Sequence, residues 1–263
     1  TEIAEAARHL PDPRVHKLSA WIRDNLWEAP PPSAGKQSPS PRWNHRRVLI
    51  FTEYAATKDY LEQRLREAIS GSDDADHRIR TFHGGIDDET REEIKRDFNR
   101  SPAESPLRIP IATDAAREGV NFQNHCADLF HFDVPWNPSR MEQRNGRIDR
   151  KNQRAKVVHC HYFVFTQRPE DRVLQALVKK TKVIADQLGS LGKVVESRLA
   201  TMLDESGIKP RDADRVARRV ETEDVDPARR ATVDEELDSS RERDDALVKQ
   251  THQLEDMLGA SKD

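Results

Sequence analysis

The chain has 263 residues, of which 35% are hydrophobic and 35% charged, and its mean hydropathy is -0.89. That length holds one α/β core of ordinary domain size plus an appendage, and the polarity excludes burial of every segment. A formal net charge of -3 excludes a globally basic nucleic-acid binder, so any such surface has to be local.

Two cysteines, Cys126 and Cys160, cannot build a disulfide framework and fit a reduced, cytoplasmic setting. No apolar run approaches the ~20 residues of a membrane helix. The opening residues Thr1-Glu2-Ile3-Ala4-Glu5 have neither the basic start nor the apolar stretch of a signal peptide. They also lack an initiator Met, which suggests a piece of a longer protein.

In chain order, residues Asp12 to Trp27 predict an amphipathic helix, with Val15, Leu18, Ile22 and Leu26 at helical spacing. A Pro/Ser-rich stretch, 29–41, follows; its composition suits neither helix nor sheet and predicts a mobile surface excursion. Apolar strand-like runs then alternate with helical ones. Val48-Leu-Ile-Phe-Thr52 predicts a buried strand and Ala55 to Ile69 a helix. Arg78 to Phe82 predicts a second strand and Asp87 to Asn99 a second helix of this zone. Further strands are expected at Leu107–Ala112, Leu129–Phe132 and Val157–Phe165. Strands separated by crossover helices imply an α/β fold, a parallel sheet with helices on both faces. Ligands of such sheets sit at the carboxyl ends of the strands. From Glu170 a helical stripe begins with Val173, Leu174, Leu177, Val178, Thr181, Ile184, Leu188 and Leu191, and continues with Val195, Leu199 and Met202. Asp204 to Asp245 carries both charge signs with acid in excess, and a weak heptad-like series runs from Leu247 to Leu258. The expected organisation is a helical lead-in over 1–28, a linker over 29–46, the α/β lobe over 47–169 and a charged helical extension over 170–263.

The most informative stretch runs from Phe132 to Gln153. On a helix Gln143, Arg147 and Arg150 would share one face, at i, i+4 and i+7. Pro138 suits the first turn of that helix, and Asn137 or Ser139 could cap it. Arg140, Arg144, Arg147, Arg150, Lys151, Arg154 and Lys156 face only Glu142 and Asp149 as acids in this region. Guanidinium groups contact phosphate oxygens bidentately and stay charged, so such a face suits a polyphosphate. Spacing alone leaves a solvated basic face equally open.

Gln143-Arg-Asn-Gly-Arg-Ile-Asp-Arg-Lys-Asn-Gln153 resembles motif VI of Swi/Snf-like superfamily 2 helicase-type ATPases, and Asp133-Val-Pro-Trp-Asn-Pro138 is similar to its usual lead-in. Ile111-Ala-Thr-Asp-Ala-Ala-Arg-Glu-Gly-Val-Asn-Phe-Gln123 resembles motif V, Val48 to Tyr54 resembles motif IV, and Phe82-His-Gly-Gly85 the loop that follows it. The four stretches stand in family order, over roughly Asp12 to Gly192. Their wording looks most like bacterial members, the RapA-like remodellers and the DrmD-type helicases of DISARM phage defence. Two departures stand out: Lys151-Asn152 before Gln153, where the family has a small hydrophobic residue and Gly, and the Pro-rich insert.

The resemblance implies the second, C-terminal RecA-like lobe of an ATP-driven DNA translocase, with ATP and Mg2+ held mainly by a first lobe. It implies that Arg147 and Arg150 are arginine fingers and that Gln143 helps to sense the nucleotide. Asp114, Glu118 and Gly119 would lie near the ribose. Thr52, Glu53, Tyr54, His83, Gly84 and Thr113 would line a track for a phosphate backbone, read without sequence specificity. The implied partners are the first lobe and DNA, duplex by family habit, with a protein partner for the C-terminal helices as a further option and no membrane.

A P-loop requires Gly, four residues, Gly-Lys and a hydroxyl residue. The near miss at Gly35-Lys36 has Gln37 in place of the hydroxyl and Pro30 in place of the first Gly, with no strand before it. Asp234-Glu-Glu-Leu237 lies after motif VI and reads as surface, not as a metal box. The chain alone is therefore expected to show no appreciable ATPase activity. His159-Cys160-His161 invites a metal reading, but on a strand the two histidines share a face and Cys160 points away, so ordinary strand residues are expected and no metal site. Two other readings stay open: a nucleic-acid or protein-binding module that kept the fold without the motor, and a structural partner domain acting through its helical tail.

Overall fold

The computed structural model describes residues 12–28, 40–114, 121–135, 138–150, 153–188 and 210–222. The first helix, α1 (Pro13–Leu26), starts at Asp12, whose carboxylate accepts the Arg14 N–H at 2.8 Å, with Pro13 in the first turn. Its buried residues are the four apolar positions read from the sequence, together with Ser19. Trp27 then pairs with Trp43 in an antiparallel bridge, supported by Glu28 N–H to Arg42 O and Asn44 N–H to Leu26 O, both 2.8 Å. The two ends of the Pro-rich excursion are thereby pinned together; residues 29–39 within it lie outside the described residues.

The lobe follows as β1 (Val48–Thr52), α2 (Ala55–Ile69), β2 (Ile79–Phe82), α3 (Asp88–Asn99), β3 (Ile109–Thr113), β4 (Asp128–His131), α4 (Pro138–Asn145) and β5 (His159–Tyr162). The five strands form one all-parallel sheet in the order β2-β3-β1-β4-β5, the α/β architecture that the alternation of runs predicts. The last three strands are shifted or shorter by one to three residues at their ends, and α3 begins after Asp87, which caps it by accepting the Thr90 N–H at 2.8 Å.

The period of two along the strands sorts side chains into two cores. Val48, Ile50, Ile109, Ile111 and Phe130 meet α1 and α2 through Leu18, Ile22, Leu61 and Leu65 on one face. Leu49, Phe51, Ala112 and Leu129 meet Ile94 and Phe98 of α3, with Phe122 and Ile148, on the other. Each fully buried Val, Leu, Ile or Phe among them contributes about 1.5–3 kcal/mol, so both faces are firmly held.

At the amino ends of β1, β2 and β3 stand Arg47, Arg78 and Arg108, each one residue before its strand and each buried. Arg47 donates to the carbonyls of Leu107 at 3.0 Å, Arg100 at 2.7 Å and Phe98. Arg108 donates to the carbonyls of Asn44 at 2.9 Å, Ser105 at 2.7 Å and Pro102 at 2.8 Å, and Arg78 to those of Asp73 and Pro106. Burial brings the Arg47 and Arg108 guanidiniums down to about 10. These donors satisfy loop carbonyls that would otherwise be buried without partners.

The described residues divide into two compact units, the lobe up to Pro135 and over Arg140–Phe163, and a second unit that takes Pro138, Ser139 and the residues from Val164. The second contains α5 (Glu170–Leu188) and α6 (Ala213–Thr222), packed on each other with an Arg172–Asp214 ion pair at 2.5 Å. Val173, Leu174 and Leu177 of the expected stripe are buried. The side chains of Thr181, Ile184 and Leu188, the continuation at Leu191, Val195, Leu199 and Met202, and the series from Leu247 lie outside the described residues. Helix α6 falls inside the segment read only as charged; its buried Ala213 and Val220 are the short apolar seam that the surrounding arginines and acids obscure. Among the described residues no helix is long and apolar enough to cross a membrane.

Candidate functional site

The carboxyl ends of β1, β2 and β3 and the helix α4 converge on a pocket. Its polar wall is made by Thr113, Asp114, Arg140, Gln143 and Arg147, and Phe51, Phe82 and Phe122 form an aromatic floor. Three of the expected nucleotide-side residues, Asp114, Gln143 and Arg147, are thus brought together with Thr113 from the expected track. Glu118 and Gly119 lie outside the described residues, as do Trp136, Asn137, Lys151 and Asn152.

The expected single helical face of Gln143, Arg147 and Arg150 is not formed, because α4 ends at Asn145. Gly146 N–H still reaches the Glu142 carbonyl at 2.8 Å, but Arg147 N–H turns to Arg144 O at 3.0 Å and Ile148 N–H to Asn145 O at 3.1 Å. The tightened turn lets Ile148 enter the core, and a Cβ at position 146 would stand 3.3 Å from the Glu142 carbonyl oxygen. Arg147 and Arg150 therefore ride on a turn, not on a helix. Burial, and then the like charge of Arg150, hold the Arg147 guanidinium below its ordinary value. Arg150 is exposed, with its Nε on the Gly146 carbonyl at 2.8 Å. The turn is fastened from the far side by Gln153, whose amide donates to Ile148 O at 2.7 Å and Cys126 O at 2.9 Å.

Two residues without an assigned role from sequence organise the site. Arg144, counted there only among the bases, is buried, and its fork takes both Asp114 oxygens at 2.6 and 2.8 Å and the Asp133 carbonyl at 2.7 Å. Asp133, part of the quoted lead-in, accepts the Glu53 N–H at 2.8 Å and the Thr52 hydroxyl. Their sequence signal is weak, since the partner carboxylate of Arg144 lies 30 residues upstream. The Asp114 carboxylate is accordingly committed to Arg144, and the buried Thr52 hydroxyl to Asp133.

Of the other expected track residues, Glu53 pairs with Arg140 at 3.0 Å. Tyr54 is 61% exposed at the start of α2, and Gly84 is exposed. His83 accepts the Gly85 N–H at 3.2 Å, and burial, then Lys58, lower its pKa. Thr113 is buried with a hydroxyl that meets no partner among the described residues. His161 is a strand residue stacked on Phe130 at 4.3 Å, with Nε2 3.1 Å from Asp128.

Residues 42–152 match the family model of the helicase conserved C-terminal domain. The chain is 33% identical over 150 residues to the ATP-dependent helicase YqhH of Bacillus subtilis, an alignment covering 57% of this chain and 24% of that protein. It is 36% identical over 111 residues to the RNA polymerase-associated protein RapA of Serratia proteamaculans, covering 41% and 10% respectively. The chain thus spans about a quarter or less of these relatives. Among solved structures, the C-terminal domain of the DEAD-box protein Dbp5 superposes with a TM-score of 0.43 at 17% identity, over 70% of this chain and 90% of that one.

Proposed function

We propose, for a chain that carries a helicase C-terminal domain related to Swi/Snf-like helicases, that it is the second motor lobe of an ATP-dependent, cytoplasmic DNA translocase. The observation that carries this reading is the placement of Arg147 with Thr113, Asp114 and Gln143 in one pocket at the carboxyl end of the sheet, with the exposed Arg150 three residues further along the chain. A guanidinium in such a pocket offers a fork of charged donors that an anion can engage. A terminal phosphate of ATP, presented with Mg2+ by a first lobe, has the charge and oxygens to do so. Arg147 and Arg150 would stabilise charge developing on the transferred phosphoryl group, an effect typically worth ~10³–10⁵ in turnover.

Gln143 would orient on the same phosphate, while Asp114, through Arg144, would shape the pocket wall. The loop of Glu53 and Tyr54, with His83 and Gly84, would meet a nucleic-acid backbone. Of the two bacterial likenesses in the motif wording, the RapA-like one has a counterpart among the matched relatives.

The test restores the first lobe, as full-length protein or in trans, and measures DNA-stimulated ATP hydrolysis with and without Arg150→Ala. A fall of two or more orders of magnitude, expected for a lost finger, with nucleotide still bound supports the reading. Equal rates remove Arg150 from catalysis. A restored wild type inactive on every DNA and RNA would favour a binding module that keeps the fold without the motor.

A further inference from the structure

Where β1, β4 and β5 begin, at the end of the sheet opposite the pocket of Asp114, lies a second cavity of about 470 Å³. Sites that take small molecules usually measure about 300–1,000 Å³. None of the residues assigned above to the nucleotide or to the strand lines it. Its wall is rich in nitrogen donors and poor in acid. His45 and Arg46 come from the approach to β1, His125 from the loop before β4, and Arg154 and His159 from the approach to β5 and its first residue. Among the described residues Asp128 is the one carboxylate of the lining, and it is already engaged: the Arg46 fork reaches it at 3.0 Å and His161 Nε2 stands 3.1 Å away.

The exposed Arg154, by contrast, has neither an ion pair nor a hydrogen bond among the described residues, and the rings of His45, His125 and His159 have no hydrogen bond there either. Arg47 adds charge but no donors, since its fork is committed to main-chain carbonyls. The resulting field is felt by His125: burial, and then Arg154 and Arg47, lower its pKa, with Glu104 the smaller opposing charge. A cleft lined by one sign of charge concentrates counter-ions.

We infer that this cavity is a binding site for a small anion carrying two or more linked phosphates, with Arg154 as its main charged contact and the histidine rings as further donors. The inference is independent of the motor reading. Phosphate suits the guanidinium fork, and an imidazole N–H donates to the same oxygens whether or not the ring is charged. Reach selects a chain of phosphates over a single oxyanion. The donors come from three adjacent strands, which at about 4.8 Å per step spread over about 10 Å, so a lone phosphate meets one side of the wall and a diphosphate spans it. Shape selects a small molecule over a duplex, because the donors line a recess of ligand size and a duplex presents its phosphates on a broad convex surface.

The experiment titrates inorganic pyrophosphate into the full-length protein by isothermal titration calorimetry, comparing wild type, Arg154→Gln and Arg150→Ala. Wild type is expected to show a saturable binding step that Arg154→Gln weakens about tenfold or more, the scale of one lost charge-assisted contact, and that Arg150→Ala leaves within about twofold. Arg154 is exposed, so its replacement leaves the fold intact; His159→Gln, also at an exposed position, is a second probe of the same step and is expected to weaken it about threefold. Absence of a saturable step in wild type, or an unchanged step in Arg154→Gln, overturns the inference. So does a step lost in Arg150→Ala alone, which would place the anion at the other end of the sheet. If Arg154→Gln weakens binding of a labelled duplex and not of pyrophosphate, the cavity meets nucleic acid and the small-molecule assignment falls.

Discussion

The two ends of the parallel sheet use arginine in opposite ways. At the amino end Arg47, Arg78 and Arg108 donate to main-chain carbonyls of the loops around 73 and 98–107. These carbonyl acceptors are neutral and fixed by the chain itself; carboxylates also stand at this end, Asp73 3.7 Å from Arg78 and Asp128 3.0 Å from the half-exposed Arg46. At the carboxyl end Arg140 and Arg144 meet the carboxylates of Glu53, Asp114 and Asp133, and two more arginines stand on a turn. Carboxylates can be exchanged for phosphates, because both offer charged oxygens to the same fork. The contrast teaches that a buried arginine signals function only once its partners are known: carbonyl partners mark a brace, carboxylate partners a potential exchange site.

The sharpest way to break this contrast is to remove a brace. Arg47→Met keeps the stem and deletes the donors to Leu107, Arg100 and Phe98. Each buried acceptor left without a partner costs about 1–3 kcal/mol, so a loss of about 3 kcal/mol or more in urea unfolding is expected. Duplex-stimulated turnover of the folded fraction should be unchanged. A variant as stable as wild type but catalytically slow would reverse the assignment of the two ends.

A second effect, of about 2 kcal/mol, comes from His131 at the end of β4. Its Nε2 faces Asn145 Oδ1 at 2.8 Å, its ring stacks on Tyr162 at 4.6 Å, and burial brings its pKa from 6.5 down to about 3. A depressed histidine is neutral when folded but binds a proton when unfolded, so its stabilisation is complete above pH 6.5 and is lost as pH falls toward 3. Between pH 7 and 5 the wild type should lose about 2 kcal/mol more unfolding free energy than His131→Gln, measured by denaturant titration at both values. Equal pH slopes would show that His131 is not held neutral.

The same asymmetry decides what could be read from sequence. Strands and helices were legible because each apolar run is local: Val48–Thr52 and Ala55–Ile69 appear with the bounds the residues suggest. The motif residues Asp114, Gln143 and Arg147 were legible as a group, and they share a pocket. What stayed hidden is what depends on pairing across the chain. Arg144 looks like any other base until Asp114 lies beside it, and Asp133 has meaning only when Thr52 and Glu53 arrive from β1. The helix expected to carry Arg150 stops at Asn145 because Ile148 is drawn into the core, an energy that helical spacing does not include. Helix α6 was missed for the reverse reason: Ala213 and Val220 are few among many charges.

The smallest effect tests the exposed rim of the carboxyl end. Tyr54 is 61% exposed and occupies the N-cap of α2 without giving it a side-chain hydrogen bond. Serine is a far better cap, so Tyr54→Ser should leave stability unchanged or raise it by up to about 1 kcal/mol. Folding alone therefore gives no reason for an aromatic ring at this position. A ring beside a phosphate track can lie against a sugar or base and add to affinity without reading sequence. Duplex or single-strand affinity of the full protein should fall about threefold in Tyr54→Ser, with basal ATP hydrolysis unaffected. If affinity holds while the helix gains its cap, the loop after β1 makes no contact with the strand, and the division between a bracing end and an exchanging end stops at the pocket of Asp114 and Arg147.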